Sequence, residues 1–269
     1  MASRELGVIL VLCLLVPGTV ICEPQTSQDR VIVPILIYHS VRPYRPADLG
    51  GVRKFIATPD TVEQEFAYLK DNGYVSVTFD DLVARLLHGD PLPEKPVIIC
   101  FDDGPETQYT YALPLLKKYS FTATFFLFTN AVGRPHYLDW AQVQELVADR
   151  MQIGCHSRFH PYLTRIDDER RLWDEIYGAK TILESHLGKP VTVYAYPFGQ
   201  YNDHIVEMVK KAGYSCARGT FFGVVHSRDD LYELTGLIRT SNLKVLIAGL
   251  HALKQQSSLH MSSPRLVHG

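Results

Sequence analysis

The chain has 269 residues, of which 46% are hydrophobic and 21% charged, a balance that fits a water-soluble globule and excludes disordered, collagen-like and multi-span membrane proteins. Lys and Arg number 27 against 29 Asp and Glu, a net charge of -2, so no basic field exists to hold a nucleic acid and a neutral or small partner is expected. Five cysteines are too few to frame a disulfide-built fold at this length, which leaves stability to an apolar core.

In chain order, Arg4, the apolar run 6–16, the break at Pro17-Gly18 and the polar stretch after Cys22 read as a secretory signal over residues 1–22 followed by a linker over 23–30. The run is short for a membrane span and carries Pro and Gly, so a retained anchor is the weaker reading, and the bulky Ile21 argues against lipidation at Cys22. Export to the periplasm, the cell surface or the outside is expected, with membrane or cell-surface association left open. Strands are then predicted over 31–38, 74–78, 97–101, 122–128, 151–155, 191–196 and 214–217, and helices over 59–72, 80–88, 107–119, 140–148, 167–187 and 202–212. Runs such as Val97-Ile98-Ile99-Cys100-Phe101 are apolar on both faces, as parallel strands covered by helices require. Glycines at 73, 188 and 213 supply helix stops. The alternation implies one α/β domain over 31–250, an α/β barrel or a doubly wound sheet, with a serine-containing tail over 251–269. Cys100, Cys155 and Cys216 read as buried thiols rather than zinc ligands.

Functional groups of such folds collect where strands end. Four expected strands end in conspicuous groups: His39-Ser40, Asp102-Asp103-Gly104, His156-Ser157-Arg158-Phe159-His160 and Tyr196-Pro197-Phe198-Gly199. His156 and His160 can reach one ion, and with one carboxylate from elsewhere they form a two-histidine, one-carboxylate set with open positions for water and substrate. Asp102 and Asp103 repel one another unless a cation lies close, and strand alternation lets the two do different jobs. The plain alternative is that they cap the helix near Thr107, as Asp80 and Asp81 are expected to cap theirs.

These motifs resemble the polysaccharide deacetylases of carbohydrate esterase family 4. FDDG at Phe101 to Gly104, HSRFH at His156 to His160 and AYPFG at Ala195 to Gly199 stand in that family's order. The resemblance implies a distorted (β/α)7 barrel as a single catalytic domain, Asp102 as general base, and Asp103, His156 and His160 as ligands of a divalent metal, with zinc favoured. PILIYHSV at Pro34 to Val41 resembles the circularly permuted branch acting on poly-N-acetylglucosamine, which implies His39 as general acid; His226 and His251 are the competing acids. Two departures stand out: most of the family has Arg where this chain has Ala195, and Thr or Ser where it has Cys100.

The expected reaction is metal-dependent removal of N-acetyl groups from a polysaccharide with release of acetate, His39 standing across the pocket from Asp102. Tyr196, Pro197, Phe198 and Trp140 are the candidate sugar-binding residues, and Tyr38 offers another flat ring. Two rivals remain at this stage: a carbohydrate-binding or adhesive module on the same barrel, and a metal-dependent amidase or imidase cutting another C–N bond.

Overall fold

The computed structural model describes residues 30–238, 243–244 and 246–250; the expected signal segment, most of the linker, the tail and His251 lie outside them. Seven parallel strands form one curled sheet in the order Cys216–Arg218, Val193–Ala195, Gln152–Cys155, Thr124–Leu127, Pro96–Phe101, Ile35–Tyr38 and Leu237–Ile238, with Val75–Ser76 paired to the start of Pro96–Phe101. A single run of chain closes the ring. Leu234 bridges Arg218, and three residues later Leu237 pairs with Leu36. This is the distorted barrel expected, helices covering the outside. Among the described residues no helix is long and apolar enough to cross a membrane.

The expected strand 31–38 is two strands. Pro34 has no N–H to give a ladder, and the chain divides around it: Ile35–Tyr38 stays in the barrel while Arg30–Ile32 pairs antiparallel with Val225–Ser227. Two expected helices contain π-helical turns, Gln108–Ala112 ahead of Leu113–Tyr119, and Asp174–Gly178 between Glu169–Trp173 and Ala179–Leu187. Asp81 closes a capping box with Thr78 at the start of Phe79–His88, and Asp80 accepts a hydrogen bond from Thr192 at 2.5 Å, so both are structural as expected.

Strand alternation sorts the core into two sets. Leu36, Tyr38, Val97, Ile99, Phe101 and Phe125 pack outward against the helices, whereas Ile35, Ile37, Ile98, Cys100, Phe126, Val193, Ala195 and Cys216 form a separate cluster inside the barrel. Extending the inward set two residues along each strand reaches His39, Asp102 and Arg218, and from Gly154 it reaches His156. The alternation that buries apolar side chains in the barrel therefore delivers these four polar ones to its C-terminal rim. Cys100, Cys155 and Cys216 are buried free thiols, and burial pushes Cys100 and Cys155 up to about 12, which bears out the plain reading of them.

Gly154 makes this interior possible. A Cβ there would meet two ring carbons of Phe126 at 2.5 Å and Val193 at 3.1 Å, and Phe126 is itself held edge-on by Phe79. Gly154→Ala is expected to destabilise the fold by about 1–3 kcal/mol through overpacking, read as a lower denaturant midpoint at unchanged slope.

Candidate metal centre and active site

His156 ends a strand with its N–H on the Leu127 carbonyl at 2.9 Å, and its buried ring faces Ala195, whose carbonyl oxygen lies 2.7 Å from Nδ1. That contact assigns the proton to Nδ1 and leaves a lone pair on Nε2. His160 brings a second Nε2 to 3.2 Å from the first, and one oxygen of Asp103 lies 3.5 Å from His156 Nε2 and 3.3 Å from His160 Nε2. The three donor atoms lie within 4.8 Å of one another. Two imidazole nitrogens and a carboxylate aimed at one point repel unless a cation lies between them, so the donor set fits a divalent metal. Burial pulls the His160 imidazole down to about 4, aided by His156, which keeps it unprotonated at neutral pH. Burial works against the Asp103 carboxylate, yet the neighbouring histidines hold it well below the usual range.

The loop carrying these ligands hangs from the π-helical turn behind it. Glu175 accepts the N–H groups of Arg158 and Phe159 at 3.0 and 2.8 Å, and Asp174 takes the Arg158 guanidinium at 2.5 Å. Ser157 Oγ accepts the N–H of His160 at 2.9 Å. Asp103, Ser157, His160 and Phe198 all have positive φ, and such strained backbone in non-glycine residues gathers at functional sites.

Asp102 is almost fully buried, and one carboxylate oxygen contacts the fully buried guanidinium of Arg218. Its other oxygen lies 3.9 Å from His39 Nε2. His39 is thus beside Asp102, not across the pocket from it, because the two residues end adjacent strands whose last aligned pair is Tyr38 and Phe101. The His39 ring packs on Phe55 at 4.9 Å between centroids. His226 is buried with Nε2 on the Val33 carbonyl at 2.9 Å, next to the start of the barrel strands, which removes it from this rim.

Arg218 was not singled out from the sequence. It is the register partner of Ala195, so the guanidinium expected at position 195 enters from the neighbouring strand. The signal was an arginine one residue past the expected strand 214–217, at an inward position two residues after Cys216.

The expected sugar platforms divide. Phe198 is 45% exposed and stacks on Tyr162 at 3.8 Å, with His160 edge-on at 4.6 Å, so it borders the candidate metal site with part of its surface open. Tyr196 and Pro197 are buried, and Tyr196 donates its hydroxyl to the Tyr232 carbonyl at 3.0 Å; both support the turn rather than face a ligand. Trp140 stacks on His186 at 3.7 Å, in the helical shell instead of the site. Tyr38 is buried and donates to Glu65 at 2.7 Å. Aromatic residues near strand ends are equally suited to core and ligand, and only tertiary direction separates the two.

Removing Arg218 isolates the Asp102 carboxylate in the barrel. Arg218→Met is expected to cost about 3–5 kcal/mol of stability, and Ala195→Arg in the same chain to recover part of it, since both positions lie side by side. Chemical unfolding of the two variants checks this.

A polysaccharide deacetylase family model matches residues 89–217. The putative polysaccharide deacetylase YxkH of Bacillus subtilis is 28% identical over 202 residues, covering 75% of this chain and 69% of that protein. The poly-β-1,6-N-acetyl-D-glucosamine N-deacetylase of Escherichia coli K12 is 24% identical over 236 residues, covering 72% of this chain; the chain spans 34% of that longer protein. The structure of the Streptococcus pyogenes deacetylase PplD in complex with acetate superimposes with a TM-score of 0.74 at 27% identity, over 81% of this chain and 98% of that one. The matched residues carry the three motifs that the barrel assembles on one rim, and the chain is similar to the polysaccharide deacetylases in both sequence and fold.

Proposed function

We propose that this protein hydrolyses the N-acetyl groups of N-acetylglucosamine units in an extracellular or cell-wall polysaccharide, releasing acetate and a free amino sugar. The observation that carries the reading is the pairing of two devices on one rim: a two-histidine, one-carboxylate donor set at Asp103, His156 and His160, and a separate carboxylate, Asp102, shared between Arg218 and His39. Amide hydrolysis needs both, one to polarise the carbonyl and one to move protons.

Asp103, His156 and His160 would hold the metal, zinc being suited to such nitrogen and oxygen donors. When bound, the ion supplies Lewis acidity at the acetamide carbonyl and makes water easier to deprotonate. Asp102, paired with Arg218, takes the proton from the attacking water. The new C–O bond forms at the acetyl carbon, and His39 gives a proton to the sugar nitrogen as the C–N bond breaks, so the amine departs neutral. A backbone N–H near Phe198 would assist the oxyanion, and the open surface of Phe198 and its stacked partner Tyr162 suits the apolar face of a sugar ring. An apolar signal over residues 1–22 would deliver the enzyme to where such polymers lie. The relative that acts on poly-β-1,6-N-acetylglucosamine by name, and the related deacetylase solved with acetate, support this substrate class.

Incubation with acetylated glucosamine oligomers is expected to release acetate, and a chelator to abolish that release until zinc is restored. Asp102→Asn and His39→Ala should each lower kcat by about 10²–10⁴-fold while leaving zinc content intact. Sugar binding without acetate release would indicate an adhesive module, and neither binding nor release would point to an amidase or imidase of another substrate.

A further inference from the structure

We infer that Gln108 is a positioning residue that sets the spacing of the His39–Asp102 pair. The inference rests on the acid–base reading above. The ladder between the strands Ile35–Tyr38 and Pro96–Phe101 ends with Asp102 N–H on the Tyr38 carbonyl at 2.8 Å. The next N–H along, that of Ser40, turns away to the Phe55 carbonyl at 3.0 Å. The strands thus part at the point where the rim opens, and the carbonyls of His39 and Asp102 face the gap. Gln108 fills it. Its Nε2 donates to the His39 carbonyl at 3.1 Å and to the Asp102 carbonyl at 2.5 Å. Two carbonyl partners require the nitrogen end of the carboxamide here, because oxygen could accept from neither.

Three features separate this staple from ordinary core packing. Gln108 is fully buried, yet among the described residues its Oε1 has no hydrogen-bond partner, a desolvation cost tolerated to keep both N–H groups on the two carbonyls. It opens the π-helical turn Gln108–Ala112, an irregularity that re-aims a side chain and recurs at functional sites. The two backbone groups it ties belong to the residues whose side chains stand 3.9 Å apart as the proposed acid and base.

The test uses the full zinc-loaded chain with Gln108→Met, which keeps the volume and loses both donors, and Gln108→Glu, which keeps the shape and sets a carboxylate against the two carbonyls. Both are expected to lower kcat by about 10–100-fold, as a displacement near 1 Å does, with KM and zinc content unchanged. The decisive comparison is His39→Ala alone against His39→Ala with Gln108→Met. With His39 gone there is no pair to hold, so adding Gln108→Met should cost less than about threefold. A full multiplicative loss in the double variant, or wild-type kcat in Gln108→Met, overturns the positioning role while leaving the acid–base reading standing. Wild-type kcat in His39→Ala overturns that reading and this inference with it. If neither Gln108 variant folds, Gln108 is a strut of the core and the inference fails.

Discussion

A carboxylate inside a parallel barrel has to be answered by a permanent cation, and the rest of the site is arranged around that requirement. Asp102 ends an inward-facing column whose earlier members are Ile98 and Cys100. An unpaired charge there would cost several kcal/mol, and Arg218 provides the answering charge from the inward column of another strand. The guanidinium needs room, which Ala195 leaves at the paired position, and a surface to lie on, which the Phe126 ring offers at 4.6 Å. Phe126 fits only because Gly154 has no side chain. Desolvating both partners makes this ion pair a poor stability device compared with apolar packing, so stability does not account for it.

The neighbouring aspartate is handled in the opposite way. In a regular strand Asp103 would point outward, away from Asp102. Its backbone instead takes φ 70°, which ends the alternation and turns the side chain to the same rim, leaving it 34% exposed against 3% for Asp102. Two adjacent carboxylates are thereby parted, one toward a guanidinium and the other toward two imidazoles. Gly104 follows with φ 71° and a Cβ there would meet Leu127 at 2.8 Å, so the two-residue left-handed turn depends on the glycine of the FDDG motif.

The parts of this arrangement that were legible in the sequence are those written in short-range pattern. Apolar runs gave the strands, their ends gave the rim, and His156 and His160 four residues apart gave a pair able to share an ion. Arg218 escaped because a single arginine after a short strand has no local signature; its meaning lies in strand pairing with Ala195. The nearness of His39 to Asp102 likewise follows from register, which sequence spacing does not encode. Trp140 and Tyr196 were misassigned because an aromatic residue beside a motif has the same composition whether it faces ligand or core. The π-helical turns hid within ordinary helical periodicity, although both carry residues that hold the site, Gln108 in one and Asp174 with Glu175 in the other.

Those turns bear on whether the site is built to bind or to react. The loop carrying His156 and His160 is fixed from behind by Glu175, Asp174 and Ser157, with its two imidazole nitrogens 3.2 Å apart. Such preorganisation serves either purpose, since a static metal-sugar contact also profits from a rigid donor set. Asp102 is different. It is too buried to offer a sugar hydroxyl much surface, and it faces a fully buried arginine. A buried carboxylate set between a guanidinium and an imidazole is arranged for exchanging protons. A module that only gripped polysaccharide would gain stability by replacing the Asp102–Arg218 pair with apolar residues of similar volume, and the presence of that buried pair favours turnover over adhesion.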